Sequence, residues 1–143
     1  MSTGIELVED IRAGRATPPS GITTLGLDRT HEWLTVVESG HVVLEWPVDT
    51  DHSNLEGAVI SVWLTALADQ TLFFATQTVC GPGEGTRMAS LQLDCIENVT
   101  EGTLTVDGRV DQRSADRLHC TCEMRRDDGV LAARVTAVID VIR

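Results

Sequence analysis

Residues 58–76, AVISVWLTALADQTLFFAT, decide the fold of this chain. They form one long apolar stretch without glycine or proline, and this length favours a helix over a strand. The helical spacing predicts a broad buried face made of Ile60, Trp63, Leu64, Leu67 and Phe74. A membrane span is not expected, because polar side chains interrupt the centre of the stretch at Ser61, Thr65, Asp69, Gln70 and Thr71.

Strand patterns lie on both sides of this helix. Two precede it, at 33–37 and 42–48, and four follow it, at 87–96, 103–112, 117–125 and 130–142. Asp127-Asp128-Gly129 is a strong hairpin turn between the last two. A short amphipathic helix over 4–13 leads into a proline-rich connector, and 22–27 is ambiguous. This order predicts an α+β fold in one domain over 1–143, with an antiparallel sheet wrapped around the helix and 1–20 as the N-terminal helix and connector.

Composition narrows the function classes. The 143 residues include 22 acidic and 11 basic side chains, all of the latter arginine, for a net charge of −11. Aromatic residues make up only 3%, and no basic stripe occurs. Nucleic acid is therefore not an expected partner, because its binding requires phosphate neutralisation and often stacking rings. The first residues show no signal-peptide pattern, so a cytoplasmic location is expected.

The four cysteines do not form a metal-binding pattern. They are Cys80, Cys95, Cys120 and Cys122, and no CxxC pair occurs. Strand spacing places Cys120 and Cys122 on one face, where they are expected to be buried, reduced thiols. We therefore expect no metal and no cofactor.

Asp69 is the only charged residue between Ala58 and Thr76. A carboxylate within an apolar helix is costly unless it is paired, and desolvation would raise its pKa toward the range of a catalytic base. The alternative is a solvent-facing stripe that Asp69 shares with Thr65 and Gln70. Periodicity alone leaves both interpretations open.

Three segments carry a resemblance to a known family. Residues 54–69, NLEGAVISVWLTALAD, follow the block N-P-x-G-x-x-H-G-G-x-x-x-x-L-x-D of the PaaI-like hotdog acyl-CoA thioesterases. Residues 102–110 and 128–136 resemble the strand after that family's substrate loop and its closing hairpin. The resemblance extends from 15 to 142 and implies a hotdog fold, an acyl-CoA substrate, and a homodimer or a dimer of dimers.

The resemblance also implies roles for individual residues. Asp69 would act as general base or nucleophile, and Asn54 would hold substrate or water. The backbone N–H of Ser61, with Val62 beside it, would polarise the thioester carbonyl. Asp69 of one subunit would face Asn54 and Ser61 of the other. On the strand opposite the helix, Arg87, Met88 or Ser90 would lie near the substrate.

One departure from the family pattern leaves the activity open. The His-Gly-Gly of the family is Ile60-Ser61-Val62 here, which keeps the backbone donors but adds side chains where glycine permits close approach. The first hypothesis is a thioester hydrolase. The second is a hotdog protein that binds an acyl-CoA without turnover, and the third is a purely structural oligomer. The nearby His52 is expected to be a solvated loop side chain.

Overall fold

The computed structural model describes residues 3–143. Helix α1, Gly4–Arg12, has Thr3 as its N-cap residue, and the Thr3 hydroxyl accepts a hydrogen bond from the backbone N–H of Glu6. The Glu6 carboxylate accepts the backbone N–H of Thr3 in return, at 2.7 Å, which completes a capping box. The predicted first helix is therefore confirmed. A second short helix, α2, Ser20–Thr24, follows the proline residues and extends into the ambiguous segment 22–27.

A six-stranded antiparallel sheet and one long helix make up the rest of the fold. The helix is α3, Ser61–Gln77, and the strands are β1 Leu34–Glu38, β2 His41–Pro47, β3 Gly85–Cys95, β4 Thr103–Ser114, β5 Arg117–Arg125 and β6 Leu131–Ile142. Their order in the sheet is β1-β2-β4-β5-β6-β3. All five pairings are antiparallel. The predicted α+β hotdog fold is confirmed, with each predicted strand present within three residues of its expected bounds.

Helix α3 packs against one face of the sheet. Alternate side chains of β2 and β4 are fully buried beneath it, as the period-two pattern predicts: Val42, Leu44, Trp46, Leu104 and Val106. The helix begins at Ser61, later than the apolar stretch does, because Val59 pairs with Ser53 in an isolated bridge. Ile60 is the extended N-cap residue and remains 37% exposed. The prediction that Ile60 lies on the buried face of the helix is therefore wrong.

Gly108 sets the distance between α3 and the sheet. It is buried on β4 and pairs with Cys122 on β5. A β-carbon at this position would lie 2.8 Å from the Cγ2 methyl of Thr71 on α3. Thr71 cannot move away easily, since it is fully buried and its hydroxyl donates to the carbonyl of Leu67 at 2.7 Å.

Gly108→Ala is therefore expected to destabilise the fold by about 1–3 kcal/mol, the usual cost of overpacking a core. Chemical denaturation would measure the change. Gly21→Ala is a matched control, because nothing lies within 4 Å of the added methyl. Thr71→Ser removes the opposing methyl, so adding it to Gly108→Ala should restore part of the loss. Equal stability of Gly108→Ala and the wild type would contradict this account.

No helix within residues 3–143 has both the length and the apolar character that crossing a membrane requires.

Candidate active site

One face of α3 is not covered by the sheet. We define the open stripe of α3 as Val62, Thr65, Ala66, Asp69 and Phe73, which recur at intervals of three and four residues. Val62 is 74% exposed and Asp69 is exposed, whereas the other three are half-buried. Such spacing places these side chains along one line of the helix surface. Together with the exposed Ser61 at the helix start, the open stripe is the part of α3 that a ligand or a second chain can reach.

Asp69 lies in the middle of this stripe. Partial burial among the apolar neighbours on the helix raises the pKa of its carboxyl, while the adjacent Gln70 side chain acts in the opposite direction. Within the described chain no arginine or histidine forms an ion pair with Asp69. The sequence left two interpretations open, a buried carboxylate and a solvent-facing one. Neither fits fully, because the carboxylate reaches solvent but is incompletely hydrated. A carboxylate in this state is a stronger base than an ordinary aspartate.

The start of α3 offers two backbone donors. Its N-cap residue, Ile60, has no side-chain acceptor, and its carbonyl accepts from the backbone N–H groups of Trp63 and Leu64. Between residues 3 and 143, nothing accepts a hydrogen bond from the N–H groups of Ser61 and Val62. Together with the partial positive charge at a helix N-terminus, they can stabilise an oxyanion.

The helix start is held in place from both sides. The N–H of Ile60 donates to the carbonyl of His52 at 2.9 Å, and the N–H of Val59 donates to the carbonyl of Val99 at 2.8 Å. These two bonds join the preceding loop and the segment before β4 to the first turn of α3. The donors at Ser61 and Val62 are therefore fixed in direction before any ligand arrives, which is the condition for electrostatic preorganisation.

Asn54 lies in the loop just before the helix and shapes that loop. Its side-chain oxygen accepts the backbone N–H groups of Glu56 and Ala58, each at 3.0 Å. Its backbone N–H donates to the carbonyl of Ala58 at 2.8 Å. The side-chain NH₂ group remains the part of Asn54 that can face a substrate. The structure thus brings Asn54, Ser61 and Val62 into one region at the helix start.

Asp69 is not part of that region within one chain. It lies eight positions after Ser61, and at 1.5 Å per residue this is roughly 12 Å along the helix axis. A carboxylate and an oxyanion donor that act on the same carbonyl must each come within about 3 Å of the reacting atoms. Asp69 and Ser61 of a single chain cannot satisfy this requirement.

His52 differs from its expected solvated state. Its ring stacks on Trp63 with the ring centroids 3.8 Å apart, and its Nδ1 lies 2.6 Å from the Asp49 carboxylate. Trp46 packs edge-on against both rings at 5.8 Å. His52 is thus half-buried beside the start of α3. The sequence contained only a weak signal for this, the short distance between His52 and Asn54.

Ser90 and Arg87 lie on the opposite face of the sheet from α3. In register they pair with Val138 and Asp140 of β6, whose side chains point away from the core. Arg87 forms an ion pair with Asp140 at 3.5 Å. Within one chain neither residue approaches Asp69, so the structure does not bring these two predicted substrate contacts to the site.

The cysteines do not supply a nucleophile at this site. Cys120 and Cys122 are buried on one face of β5, as predicted, and all four cysteines are free. Burial raises the pKa of Cys120 to about 12 and raises the pKa of Cys80 and Cys122 as well. These three thiols stay protonated at neutral pH. Across residues 3–143, no group of three His, Cys, Asp or Glu side chains is placed to hold a metal ion.

Solved structures of other proteins share this architecture. A phenylacetic acid degradation-related protein from Ralstonia eutropha superposes with a TM-score of 0.78 at 20% identity, over 93% of this chain and 98% of that one. A Streptococcus mutans protein bound to acetyl CoA superposes with a TM-score of 0.71 at 18% identity, over 76% of this chain and 86% of that one. PaaI from the E. coli phenylacetic acid degradation operon superposes with a TM-score of 0.69 at 16% identity, over 75% of this chain and 80% of that one. At these identities the likeness shows the fold.

Sequence comparison identifies the family. Among curated proteins the chain has no match. The family model of the thioesterase superfamily matches residues 56–133. This region is more than half of the chain, and it includes α3 with Asp69, the free donors at the helix start, and strands β3, β4 and β5. The chain therefore belongs to the thioesterase superfamily.

Proposed function

We propose that this protein hydrolyses the thioester bond of an acyl-CoA, with Asp69 as general base or nucleophile. The observation that carries the proposal is the incompletely hydrated Asp69 carboxylate on the open stripe of α3, in a chain of the thioesterase superfamily. The free N–H groups of Ser61 and Val62 supply the second element that hydrolysis needs, a site for the oxyanion. The relative that binds acetyl CoA supports a coenzyme A ester as the substrate class.

In the proposed reaction, water adds to the thioester carbonyl as Asp69 takes its proton. The Ser61 N–H stabilises the negative charge that forms on the carbonyl oxygen. The carbon–sulfur bond then breaks, and the proton passes from Asp69 to the departing thiolate, which leaves as coenzyme A. If Asp69 attacks directly, an anhydride forms with loss of the thiolate, and water then hydrolyses it.

A second copy of the chain completes the site in this proposal. Because Asp69 and Ser61 of one chain are roughly 12 Å apart along the helix, Asp69 of one subunit would act with Ser61 and Asn54 of its partner. Strand β3 supports a homodimer, since it is an eleven-residue edge strand that pairs only with β6 in the described chain. An edge of this length with half-buried Met88, Leu91 and Leu93 is a suitable surface for another strand.

The first test is thiol release from a panel of acyl-CoAs over a range of pH. Since the base must be ionised, kcat/KM should rise with pH and level off above the pKa of Asp69, which burial places above its ordinary value of about 3.9. A folded oligomer that releases no thiol from any substrate would refute the proposal. A rate that falls as pH rises through this range would refute Asp69 as the base.

Binding without turnover is the second candidate function, and one observation favours it. Val62 projects its side chain, 74% exposed, from a position where the family pattern has glycine. Asn54 also uses its side-chain oxygen within its own loop. Calorimetry distinguishes the two functions, because a pure binding protein would hold an intact acyl-CoA while no thiol is released.

A further inference from the structure

A cavity of about 600 Å³ lies between the N-terminal segment and the second half of α3. Its walls are mainly apolar: Leu7 and Ile11 from α1, Ile22 from α2, Leu27, and Phe73 and Phe74 from α3. This volume is within the range of small-molecule sites in proteins. The cavity is large enough for a ring or a medium-length alkyl chain.

The cavity begins next to the proposed reaction centre. Phe73 follows Asp69 by one helical turn on the open stripe, and Gln70, which directly follows Asp69, also lines the cavity. Residues four apart on a helix are surface neighbours, about 5–6 Å between β-carbons. A thioester whose carbonyl lies at Asp69 can therefore extend its acyl group past Phe73 into the cavity.

The charges around the cavity favour a neutral occupant. Asp28 and His31 line it, whereas none of the arginines between residues 3 and 143 does. The phosphates of coenzyme A or a terminal carboxylate would meet the Asp28 carboxylate with no arginine in the cavity wall to balance the charges. An uncharged acyl group meets no such repulsion, so the cavity suits the acyl part of the substrate better than the coenzyme A part.

The cavity is also particular to this chain's N-terminal segment. Most of its lining comes from residues 7–31, which lie outside the matched family region of 56–133. The catalytic elements and this lining therefore come from different parts of the chain. Substrate selectivity can be set by the N-terminal segment while the reaction centre on α3 is retained.

We propose, on the basis of the thioesterase function proposed above, that this cavity holds the acyl group of the substrate. The substrate class is then an acyl-CoA with a bulky, uncharged, apolar acyl group, aromatic or of medium chain length. Acetyl-CoA and succinyl-CoA are poor substrates in this assignment, since the first leaves the cavity empty and the second brings a carboxylate to Asp28.

The test compares acetyl-, succinyl-, hexanoyl-, decanoyl- and phenylacetyl-CoA by kcat/KM. Burial of each additional methylene is favourable, so decanoyl- and phenylacetyl-CoA should exceed acetyl- and succinyl-CoA by about tenfold or more. Ala16→Trp fills the cavity and should reduce the decanoyl-to-acetyl ratio at least about tenfold, a cost typical of overfilling a packed site. Ile22→Trp fills it from another wall and replaces Ala16→Trp if that variant does not fold.

Thr23→Trp is the control, because this exposed side chain adds the same bulk outside the cavity and should keep the wild-type ratio. Calorimetric binding of decanoyl-CoA and acetyl-CoA separates this inference from the proposed function. Tighter binding of decanoyl-CoA that is lost in Ala16→Trp supports the cavity even if no thiol is released. Equal rates and equal affinities for the two ligands, or a ratio unchanged in both tryptophan variants, would overturn it.

Discussion

Replacing Asp69 with asparagine is expected to lower kcat/KM for acyl-CoA hydrolysis at least about a hundredfold, within the usual contribution of a general base. Asparagine keeps the size of the side chain but can neither accept the proton of water nor attack the carbonyl. Thiol release by the purified variant measures the change. Substrate binding should persist, so the loss should appear mainly in kcat.

The same substitution should not destabilise the fold. The raised pKa of Asp69 means that the folded chain binds this proton more tightly than the unfolded chain does. This tighter proton binding stabilises the fold fully at pH values below the pKa that Asp69 has in the unfolded chain. The stabilisation is lost as the pH rises through the higher pKa that Asp69 has in the folded chain. At pH values above the folded pKa the ionised carboxylate is therefore unfavourable to folding, and the melting temperature of Asp69→Asn there should equal or exceed that of the wild type.

Loss of activity together with unchanged or higher stability separates a catalytic residue from a structural one. Glu45→Gln is a suitable control, because it neutralises an exposed carboxylate on β2, away from α3. It should leave both hydrolysis and melting temperature near the wild-type values. Asp69→Asn that retains full activity would rule out Asp69 as base or nucleophile.

Ser61→Pro should reduce kcat by about a hundredfold to a thousandfold, the typical effect of removing one oxyanion donor. Proline deletes the backbone N–H and is tolerated at the first position of a helix. Ile60 already has the extended backbone, φ −69° and ψ 144°, that the residue before a proline prefers. No hydrogen bond within residues 3–143 is lost, so the melting temperature should change little.

Ser61→Ala is the matched control for this variant. It removes the hydroxyl but keeps the N–H, so its activity should remain near that of the wild type. If Ser61→Ala and Ser61→Pro lose activity equally, the side chain and not the backbone donor is responsible. If neither loses activity, the oxyanion is not stabilised at Ser61.

Mixing the two inactive variants tests whether the site crosses a dimer interface. In a heterodimer of Asp69→Asn and Ser61→Pro chains, one of the two sites combines an intact Asp69 with an intact Ser61 N–H. Random reassortment in a two-fold dimer should restore about a quarter of the wild-type activity. No recovery after co-refolding would mean that both groups act from the same chain or that the chain does not form this dimer.

Much of the fold could be predicted because it depends on local patterns. The period-two alternation of Leu104 and Val106 predicts β4, and the Asp127-Asp128-Gly129 turn places β6, where Gly129 has φ +86°. The length and apolar character of 58–76 predict α3. Each of these signals arises from residues a few positions apart, and the backbone geometry of helices, strands and turns converts them directly into structure.

Asp69 could be singled out for the same local reason, but its environment could not. Its isolation among apolar residues is visible in the sequence, whereas its hydration depends on which face of α3 the sheet leaves open. His52 shows the same limit, since its partner Trp63 is eleven residues further along the chain. Contacts of this kind follow from packing, and no periodicity encodes them.

The sequence by itself determined the elements, the family resemblance and the chemical candidates at Asp69, Asn54 and Ser61. Only the tertiary structure decided where β3 and the N-terminal segment lie. A register shift between Met88 and Ser90 turns Ser90 to the outer face of the sheet, because one extra residue reverses the alternation. The packing of residues 7–31 against α3 forms the cavity beside Asp69, because apolar side chains distant in sequence bury one another only after the chain has folded.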